Sequence, residues 1–461
     1  MGINAAFILP HPPLIVPDVG KGEEEKIRKT VDAYRQAARE IAEIKPETII
    51  LTSPHATAYA DYLHVSPGKF GQGSFKQFGA PDCRIEAEYD SDFVKELGST
   101  AEELGIPAGT RGERSPELDH GTMVPLYFVN QYYKGYKLVR CSISGMSPAV
   151  HYDFGRCIFK TANRLNRRAV LIASGDLSHM LTSDGPYGYA PEGPEFDRQV
   201  TQAMAEGDFL RFLTFEGDFC DAAGECGLRS FQILAGVFDG LDVKTELLSY
   251  EGPFGVGYAV CTVYPDDANE NRKLGEKYKE GKQAKLAEQK NKEDEYVRLA
   301  RFSLETFIQE GKLAECPENL PKEITAKKAG VFVSLKKDGQ LRGCIGTIEA
   351  TQNSIADEII HNAVSAGVRD PRFEPVGADE LDDLVYSVDI LGKAEPIGSM
   401  EELDPKRYGV IVSKGTRSGL LLPNLSGINT PKQQVEIALE KAGIGPDEPY
   451  EMERFEVVRH K

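Results

Sequence analysis

Short apolar runs alternate with longer amphipathic stretches along the first half of the chain. The apolar runs are rich in Val and Ile and have the length of buried strands, whereas the stretches between them repeat apolar residues at helical spacing. This alternation predicts an α/β domain with a mixed sheet flanked by helices, in which ligands bind just beyond the carboxyl ends of the strands. The predicted strands are Asn4–Leu9, Thr48–Thr52, Leu138–Ile143, Ala169–Ala173, Val243–Leu248 and Val256–Val263, and the predicted helices are Glu24–Ile44, Asp153–Asn166, Glu195–Ala205 and Gly227–Phe238.

A strongly polar segment interrupts this pattern. Residues 266–295 are dominated by charged side chains and contain almost no large apolar residue, so they cannot bury a core face. They form either a solvated helix or a flexible connector, and we place a charged linker over residues 266–292. The first domain then covers residues 1–265, and a second, smaller domain covers residues 293–461.

The pattern after the linker is that of an α+β domain. Helices are predicted where apolar residues recur at helical spacing, and the segment VFVSLKKDGQLRGCIGTI reads as two strands around an Asp-Gly turn. The predicted helices are Tyr296–Glu310, Ser354–Val368 and Pro431–Ala442, and a further strand is predicted over Leu384–Leu391.

The bulk composition excludes several classes of function. A chain of 461 residues exceeds the size of one ordinary core, which agrees with two domains. A net charge of −18 repels the phosphates of nucleic acids, and no basic stripe offsets it. No run approaches the ~20 apolar residues of a membrane span, and the apolar start of the chain has no basic region. We therefore expect a cytoplasmic protein that binds neither nucleic acid nor membrane.

Several of the eight histidines lie directly after predicted strands. His11 follows the first strand in FILPHPP, His55 follows the second in IILTSPHA, and His179 follows a later one in VLIASGDLSH. A single loop histidine is more often a surface residue than a ligand, but three at successive strand ends favour convergence at one edge of the sheet. His120, in LDHGTMVPL, is predicted to lie in a loop, where a functional role and a simple turn are about equally favoured.

Two imidazoles near one edge predict a metal site. Two neutral imidazoles and one carboxylate leave part of the coordination sphere open, which suits non-haem Fe(II) and O₂ chemistry. The best carboxylate in the sequence is Glu225, in AAGECGLRS just ahead of a predicted helix. Its neighbour Cys226 is the alternative, and a thiolate ligand would favour zinc or copper instead.

Four motifs in order resemble a known family. HPPLIVPDVG, SPHA, DHGTMVPL and SGDLSH are similar to the class III extradiol ring-cleavage dioxygenases, and most similar to their LigB-type catalytic subunit, over roughly residues 3–265. The resemblance implies that His11 and His55 bind ferrous iron, with Glu225 as the third ligand. It also implies that His179 is the catalytic acid and base, and that His120 supports the site or binds substrate.

The implied activity is Fe(II)-dependent extradiol cleavage of a catechol-like aromatic substrate with O₂. The Memo family shares this fold and an SPHA-like motif, and it has a cysteine in the corresponding CG-containing stretch, which keeps Cys226 as an alternative ligand. The alternative function is therefore a zinc- or copper-binding, Memo-like protein without oxygen chemistry. The protocatechuate-cleaving enzymes cover their site with a small partner subunit that has no counterpart here, so self-association into a homo-oligomer is plausible.

The second domain resembles the AMMECR family over about residues 293–461. The matching stretches are LRGCIGTIEA, NAVSAGVRDPRFEPV and YGVIVSKGTRSGLLLPNL. The family has no established activity. Its association with Memo-like or dioxygenase-like domains and radical SAM proteins implies a radical SAM partner. A third hypothesis is therefore that the protein is a non-enzymatic scaffold for such a partner. The scattered cysteines without CxxC pairs predict reduced, mostly buried thiols. Cys344, flanked by glycines, is expected to be a small buried residue rather than an exposed nucleophile.

Overall fold

The computed structural model describes residues 2–425 and 427–461 and divides into two compact units, Met1–Lys282 and Gln283–Lys461. The boundary between them falls inside a helix of the charged segment, Leu274–Lys292, in which Leu274 is the buried residue. Within the described residues, no helix has both the length and the apolar character needed to cross a membrane.

The first unit alternates strands and helices as the hydrophobic pattern predicts. Its strands are β1 Ile3–Leu9, β2 Thr48–Ser53, β3 Leu63–His64, β4 Phe70–Phe75, β5 Ala80–Glu88, β6 Ala108–Gly109, β7 Lys137–Ser142, β8 Ala169–Ser174, β9 Leu241–Glu251 and β10 Tyr258–Ala268. Its helices, with the charged one last, are α1 Pro17–Gly20, α2 Arg28–Ile44, α3 Ser91–Glu103, α4 His120–Val129, α5 Pro148–Arg164, α6 Glu192–Glu206, α7 Leu210–Leu213, α8 Gly217–Ala223, α9 Leu228–Val237 and α10 Leu274–Lys292.

The main sheet has the strand order β7-β2-β8-β1-β10-β9. β7, β2, β8 and β1 are parallel, whereas β10 runs antiparallel to both β1 and β9. The sheet is therefore mixed and flanked by helices, which confirms the predicted α/β fold class. Because β1, β2, β7 and β8 run the same way, their carboxyl ends share one edge of the sheet.

Helices cover both faces of this sheet. On β8, Leu171 and Ala173 pack into the core beneath α3, α5, α6 and α9, whereas Val170 and Ile172 pack into the core beneath α2 and α4. Strands buried on both faces need continuous apolar runs, which is why these strands read as Val- and Ile-rich segments without polar alternation.

α4 differs from the expectation for its segment. His120 lies in the first turn of this helix and not in a loop, because the carboxylate of Asp119 caps the helix by accepting a hydrogen bond from the Thr122 amide. Pro125 lies inside the helix and has no N–H to donate. The carbonyl of Gly121, four residues earlier, therefore lacks its helical donor.

The second unit is an α+β domain, as predicted. Its sheet has the order β12-β11-β13-β17-β15-β16, with β14 paired to β17, and all its pairings are antiparallel. The Asp-Gly hairpin is confirmed, since Asp338 and Gly339 have φ values of 53° and 79°. The elements are α11 Glu295–Glu310, α12 Lys322–Ala326, β11 Val331–Lys337, β12 Gln340–Gly346, α13 Ile355–Val368, β13 Leu384–Leu391, β14 Glu395–Ile397, β15 Tyr408–Lys414, β16 Arg417–Leu421, α14 Pro431–Ala442 and β17 Glu451–His460.

Candidate metal site

The site lies at the carboxyl edge of the main sheet. β2, β8 and β1 are adjacent there and end at Ser53, Ser174 and Leu9. His11 and His55 each follow two residues after their strand ends, so both imidazoles start from neighbouring positions on one edge. This edge is where open α/β sheets bind their ligands.

The structure brings His11, His55 and Cys226 together. The Nε2 atoms of the two histidines are 3.0 Å apart, and the Cys226 Sγ lies 3.6 Å from the His11 Nε2. One ligand atom from each of the three residues lies within 4.8 Å of the others. His11 is buried, Cys226 is partly buried and His55 is exposed, so the cluster reaches solvent on the His55 side. Two imidazoles and one sulfur form a donor set that suits iron, zinc or copper.

Glu225, the sequence-predicted third ligand, has a different role in the structure. Its Oε2 accepts a hydrogen bond of 2.7 Å from the Leu228 amide at the start of α9, so the carboxylate caps that helix. Burial raises the pKa of Glu225 to about 7. The thiol of Cys226, and not the neighbouring carboxylate, is thus the group beside the two imidazoles. Glu225 as a metal ligand stays a prediction that would require this capping bond to break.

The protonation of His11 is set by its neighbours. Its Nδ1 lies 2.9 Å from the Ser174 Oγ, and Ser174 in turn donates a hydrogen bond of 2.6 Å to the carbonyl of Gly121. Because the Ser174 hydroxyl donates its proton to the Gly121 carbonyl, its oxygen accepts a hydrogen bond from the His11 Nδ1–H. The lone pair on the His11 Nε2 therefore faces His55 and Cys226. The Gly121 carbonyl is available because Pro125 cannot donate to it. Burial lowers the pKa of His11 to about 3, with a further contribution from His55, so this imidazole is neutral, as a metal ligand must be.

Removing this support should weaken metal binding. We expect Ser174→Ala to lower the affinity for Zn²⁺ or Co²⁺ by about 10- to 100-fold, because the buried Nδ1–H of His11 loses its acceptor and the imidazole loses its fixed orientation. The measurement is competition against a chromogenic chelator under anaerobic conditions.

Ser142 provides the matched control for this prediction. It is a buried serine at the end of β7, which β2 separates from β8, and its Oγ accepts a hydrogen bond from the His64 amide outside the metal cluster. Ser142→Ala should change the metal affinity by no more than about twofold. This is less than the loss expected when a residue that hydrogen-bonds to a metal ligand is removed. Equal losses in both variants would show a general effect of strand-end serines and would contradict the proposed support of His11.

A buried carboxylate supports His55. The His55 amide donates to the Ser53 Oγ, and Ser53 donates to the Asp119 Oδ1 at 2.5 Å. Burial would raise the pKa of Asp119, but Arg140 together with hydrogen bonds from Ser53 and Thr122 holds that pKa below its usual value. Asp119 therefore carries a negative charge at neutral pH and favours a cation between the histidines.

His120 and His179 flank the cluster. The His120 ring lies 4.1 Å from the His55 ring and 5.3 Å from the His11 ring, between centroids, and burial beside these histidines lowers the pKa of His120 to about 3. The His179 ring lies 5.1 Å from the ring of Tyr187. Among the described residues, the buried Nδ1 of His179 has no hydrogen-bond partner, and the His179 side chain is close enough to His11 to contribute to the lowering of its pKa.

Asp176 is a site residue that the sequence analysis missed. Its Oδ1 accepts a hydrogen bond of 2.7 Å from the His11 amide, and its Oδ2 lies 3.9 Å from the His11 Nε2. Burial raises the pKa of Asp176 to about 6. The Cys226 thiol, 3.7 Å from the Asp176 carbonyl, is buried beside this carboxyl, and burial together with this charge raises the thiol pKa well above its usual value. A bound cation would instead lower the pKa of the Cys226 thiol, because it stabilises the thiolate.

Cys344 in the second domain fits the packing role expected for it. It lies on β12 and is partly buried, and its Sγ accepts a hydrogen bond of 3.2 Å from the Ser334 Oγ. Burial raises the pKa of the thiol, which disfavours a reactive thiolate. All the cysteines have free thiols, but only Cys141, Cys157 and Cys261 are fully buried, which is fewer than predicted.

Comparisons with known proteins agree with this architecture. The family model described as the catalytic LigB subunit of aromatic ring-opening dioxygenase matches residues 5–261, and the AMMECR1 model matches residues 297–460. A protein of Clostridium acetobutylicum is 45% identical over 471 residues, covering 100% of both chains. A protein of Thermotoga maritima is 50% identical over 171 residues, covering 37% of this chain and 98% of its own.

One solved structure, of an uncharacterized protein from Pyrococcus horikoshii, is 34% identical and covers 36% of this chain and 88% of that chain, with a TM-score of 0.34. The two family matches confirm both resemblances noted in the sequence. The chain belongs to the family of the catalytic LigB subunit of aromatic ring-opening dioxygenases, and it carries an AMMECR1 domain after its LigB domain.

Proposed function

We propose that the N-terminal domain is a mononuclear metalloenzyme that opens a catechol-like aromatic ring with O₂, using Fe(II) held by His11, His55 and Cys226. The observation that carries the proposal is the convergence of these three donors at the carboxyl edge of the sheet, open to solvent on the His55 side. The donor set fits a metal because the His11 Nε2 lone pair faces the other two donors and a negative Asp119 lies behind His55.

The chemistry of the site follows from its residues. A bound ferrous ion would supply an acidic centre for the two hydroxyls of a catechol and a place for O₂. The reaction breaks one ring C–C bond beside a hydroxyl and places both oxygen atoms of O₂ in the product, so no further reductant is needed. His179 would accept a phenolic proton and later return it, since its imidazole lies near enough to His11 and Asp176 to influence the pKa of both. The rings of Tyr187, next to His179, and Phe78, 5.5 Å from the His120 ring, border this space with aromatic surface suited to a planar substrate.

A second candidate is a zinc or copper protein without oxygen chemistry. The specific observation that favours it is the sulfur of Cys226, because a thiolate ligand shifts preference toward zinc and copper. A radical SAM partner, a scaffold role and a homo-oligomer remain predictions from the family resemblance.

The test starts from full-length protein purified without air. Metal content is measured first, then the protein is loaded with Fe(II), mixed with a panel of catechols and exposed to air. The proposal predicts O₂ uptake and a yellow ring-fission product. His179→Gln should lower the rate by about 10²- to 10⁴-fold, the usual contribution of an acid–base residue, while keeping the iron.

A histidine outside the site serves as the control. His361 lies in α13 of the second domain, so His361→Gln should leave the rate unchanged. Iron-loaded protein that fails to consume O₂ with every catechol would exclude ring opening. Zinc or copper in the protein as isolated, at one ion per chain, would favour the second candidate.

A further inference from the structure

A carboxylate that the proposed chemistry does not use is buried behind the loop that carries His179. Asp197 lies on α6 and is 1% exposed. Taking a carboxylate out of water costs free energy unless a partner compensates for it. Burial and the charge of Asp176 raise the pKa of Asp197 to about 7, and among the described residues no lysine or arginine pairs with it. Packing of α6 alone would favour an apolar residue here, so the carboxylate serves groups on other elements.

Both oxygen atoms of Asp197 are bound by neighbouring elements. Oδ1 accepts a hydrogen bond of 2.8 Å from the Ser178 amide, and Oδ2 accepts one of 2.7 Å from the hydroxyl of Tyr250 on β9. A Cβ added to Gly257, the residue before β10, would lie 2.0 Å from Oδ2, so only glycine leaves room for the carboxylate there. Asp197 thus links α6 to β9 and to the loop after β8.

The loop after β8, residues 175–180, contains no helix or strand. Its backbone groups therefore find partners on neighbouring segments. The Gly257 amide donates to the Ser178 carbonyl at 2.8 Å, and the Ser178 hydroxyl donates to the Ala223 carbonyl at 2.7 Å. The Ser178 amide is paired with α6, whose backbone groups are used within the helix. Its acceptor is accordingly a side chain, that of Asp197.

Ser178 lies between the two site residues of this loop. Asp176 accepts from the His11 amide, and His179 is the proposed acid and base. The His179 imidazole acts on the pKa of both His11 and Asp176, so it lies beside the metal cluster. The His179 amide donates at 3.2 Å to the Ala223 carbonyl, which also accepts the Ser178 hydroxyl. Because adjacent residues share a peptide unit, a shift of Ser178 would displace His179 relative to the metal donors.

We propose that Asp197 is a positioning residue of the metal site, which holds the loop after β8 through the Ser178 amide so that His179 meets the substrate in a fixed orientation. The inference rests on the proposed function for the role of His179 in proton transfer, whereas the restraint on the loop does not require turnover. Catalysis is sensitive to such placement, because a displacement of about 1 Å can lower a rate by about 100-fold.

The experiment compares Asp197→Ala with Asp197→Asn in full-length protein loaded with Fe(II). Alanine leaves the buried Ser178 amide without its acceptor, so kcat for ring opening should fall by about 10- to 100-fold. KM for the catechol should change by no more than about twofold, because the diol binds the metal and not this loop. Asparagine keeps an acceptor oxygen for the Ser178 amide, so Asp197→Asn should keep kcat within about threefold of the wild type.

Hydrogen exchange provides a readout that does not need turnover. In Asp197→Ala, the peptide that contains the loop after β8 should exchange about 3- to 10-fold faster than in the wild type, the effect of one lost hydrogen bond. In Asp197→Asn, this peptide should exchange as in the wild type. Tyr250→Phe is a milder second variant, because Tyr250 is 40% exposed and Asp197 stays in place. It releases Oδ2, and it should lower kcat and loop protection by about threefold.

Asp90 provides the matched control. It is buried, and like Asp197 it accepts from one amide, that of Phe93, and from one hydroxyl, that of Thr48. Thr48 begins β2, so Asp90 lies at the opposite edge of the sheet from the metal donors. Asp90→Ala should lower the apparent Tm through loss of the α3 cap, but it should leave kcat and the exchange of the loop after β8 unchanged.

Three outcomes would overturn the positioning role: wild-type kcat and loop exchange in Asp197→Ala, equal losses in Asp197→Ala and Asp197→Asn, or an equal loss of kcat in Asp90→Ala. If Asp197→Ala does not fold, wild-type kcat and loop exchange in Tyr250→Phe would overturn it instead. Failure of ring opening is a separate result. Loop exchange that depends on Asp197, without O₂ uptake by the iron-loaded protein, would exclude the oxygenase and leave the restraint on the loop. Ring opening at the wild-type rate in Asp197→Ala would do the reverse.

Discussion

Cys226→Ala is expected to lower the affinity of the N-terminal domain for Fe(II), Zn²⁺ or Co²⁺ more than any variant of a residue that only hydrogen-bonds to a metal ligand, such as Ser174→Ala. Removing a residue that hydrogen-bonds to a metal ligand lowers metal affinity by about 10- to 100-fold, and removing a ligand itself should lower it further. The physical reason is geometric, because the Cys226 Sγ lies 3.6 Å from the His11 Nε2 and completes the set with His55. The measurement is anaerobic chelator competition, with the cobalt protein examined for the absorption band of a thiolate bound to Co²⁺.

The adjacent residue offers the control. Glu225→Gln keeps the size of the side chain and an oxygen that accepts from the Leu228 amide, so the cap of α9 persists. It should retain both the metal and the thiolate band. The opposite pattern, with metal kept in Cys226→Ala and lost in Glu225→Gln, would restore the carboxylate as the third ligand and would require α9 to lose its capping bond.

The strand-end histidines were predictable because they follow from the sheet alone. His11 and His55 each come two residues after a parallel strand, and adjacent parallel strands end at one edge. The same rule locates Asp176, two residues after β8, in the motif SGDLSH. Asp176 therefore occupies the position equivalent to the two histidines, whereas His179 lies three residues further along the loop.

The choice between Glu225 and Cys226 could not be made from spacing. Neighbouring residues ahead of a helix point in different directions, and which one faces the cleft depends on the residue at which the helix begins. α9 begins at Leu228, so Glu225 is placed to cap it and Cys226 is turned to the histidines.

Helix α4 shows a second limit of local pattern. The sequence predicts His120 in a loop leading into an apolar segment, and Pro125 within that segment would itself disfavour a helix. The fold tolerates the proline because the unpaired carbonyl of Gly121 accepts the Ser174 hydroxyl from β8. That donor comes from a residue 53 positions away, and only the assembled sheet supplies it. The interaction that permits the helix is also the one that orients His11.

Helices α5 and α9 cross each other at very close range. Gly155 of α5 and Gly236 of α9 lie at the contact. A Cβ at Gly236 would lie 1.8 Å from the carbonyl oxygen of Tyr152, and a Cβ at Gly155 would lie 2.0 Å from that of Ile233. Both obstacles are backbone atoms inside helices, which cannot rotate away as a side chain can. The two helices must therefore move apart to admit even one methyl group.

Gly236→Ala is accordingly expected to destabilise the N-terminal domain by about 3 kcal/mol or more, at the upper end of the cost of overpacking a core. Gly98→Ala is the matched control, since Gly98 lies within α3 with no atom within 4 Å of an added Cβ, and alanine should there stabilise the helix by about 0.5–1 kcal/mol. Hydrogen exchange of the full-length protein, read by mass spectrometry in peptides from α5 and α9, measures the difference, with peptides from the second domain as an internal reference.

Because α9 begins beside Cys226, the exchange rates in Gly236→Ala should rise together with a loss of metal affinity. Unchanged exchange in these peptides would mean that the helices are not in contact at the glycines, and the placement of Cys226 beside the two histidines would lose this structural support.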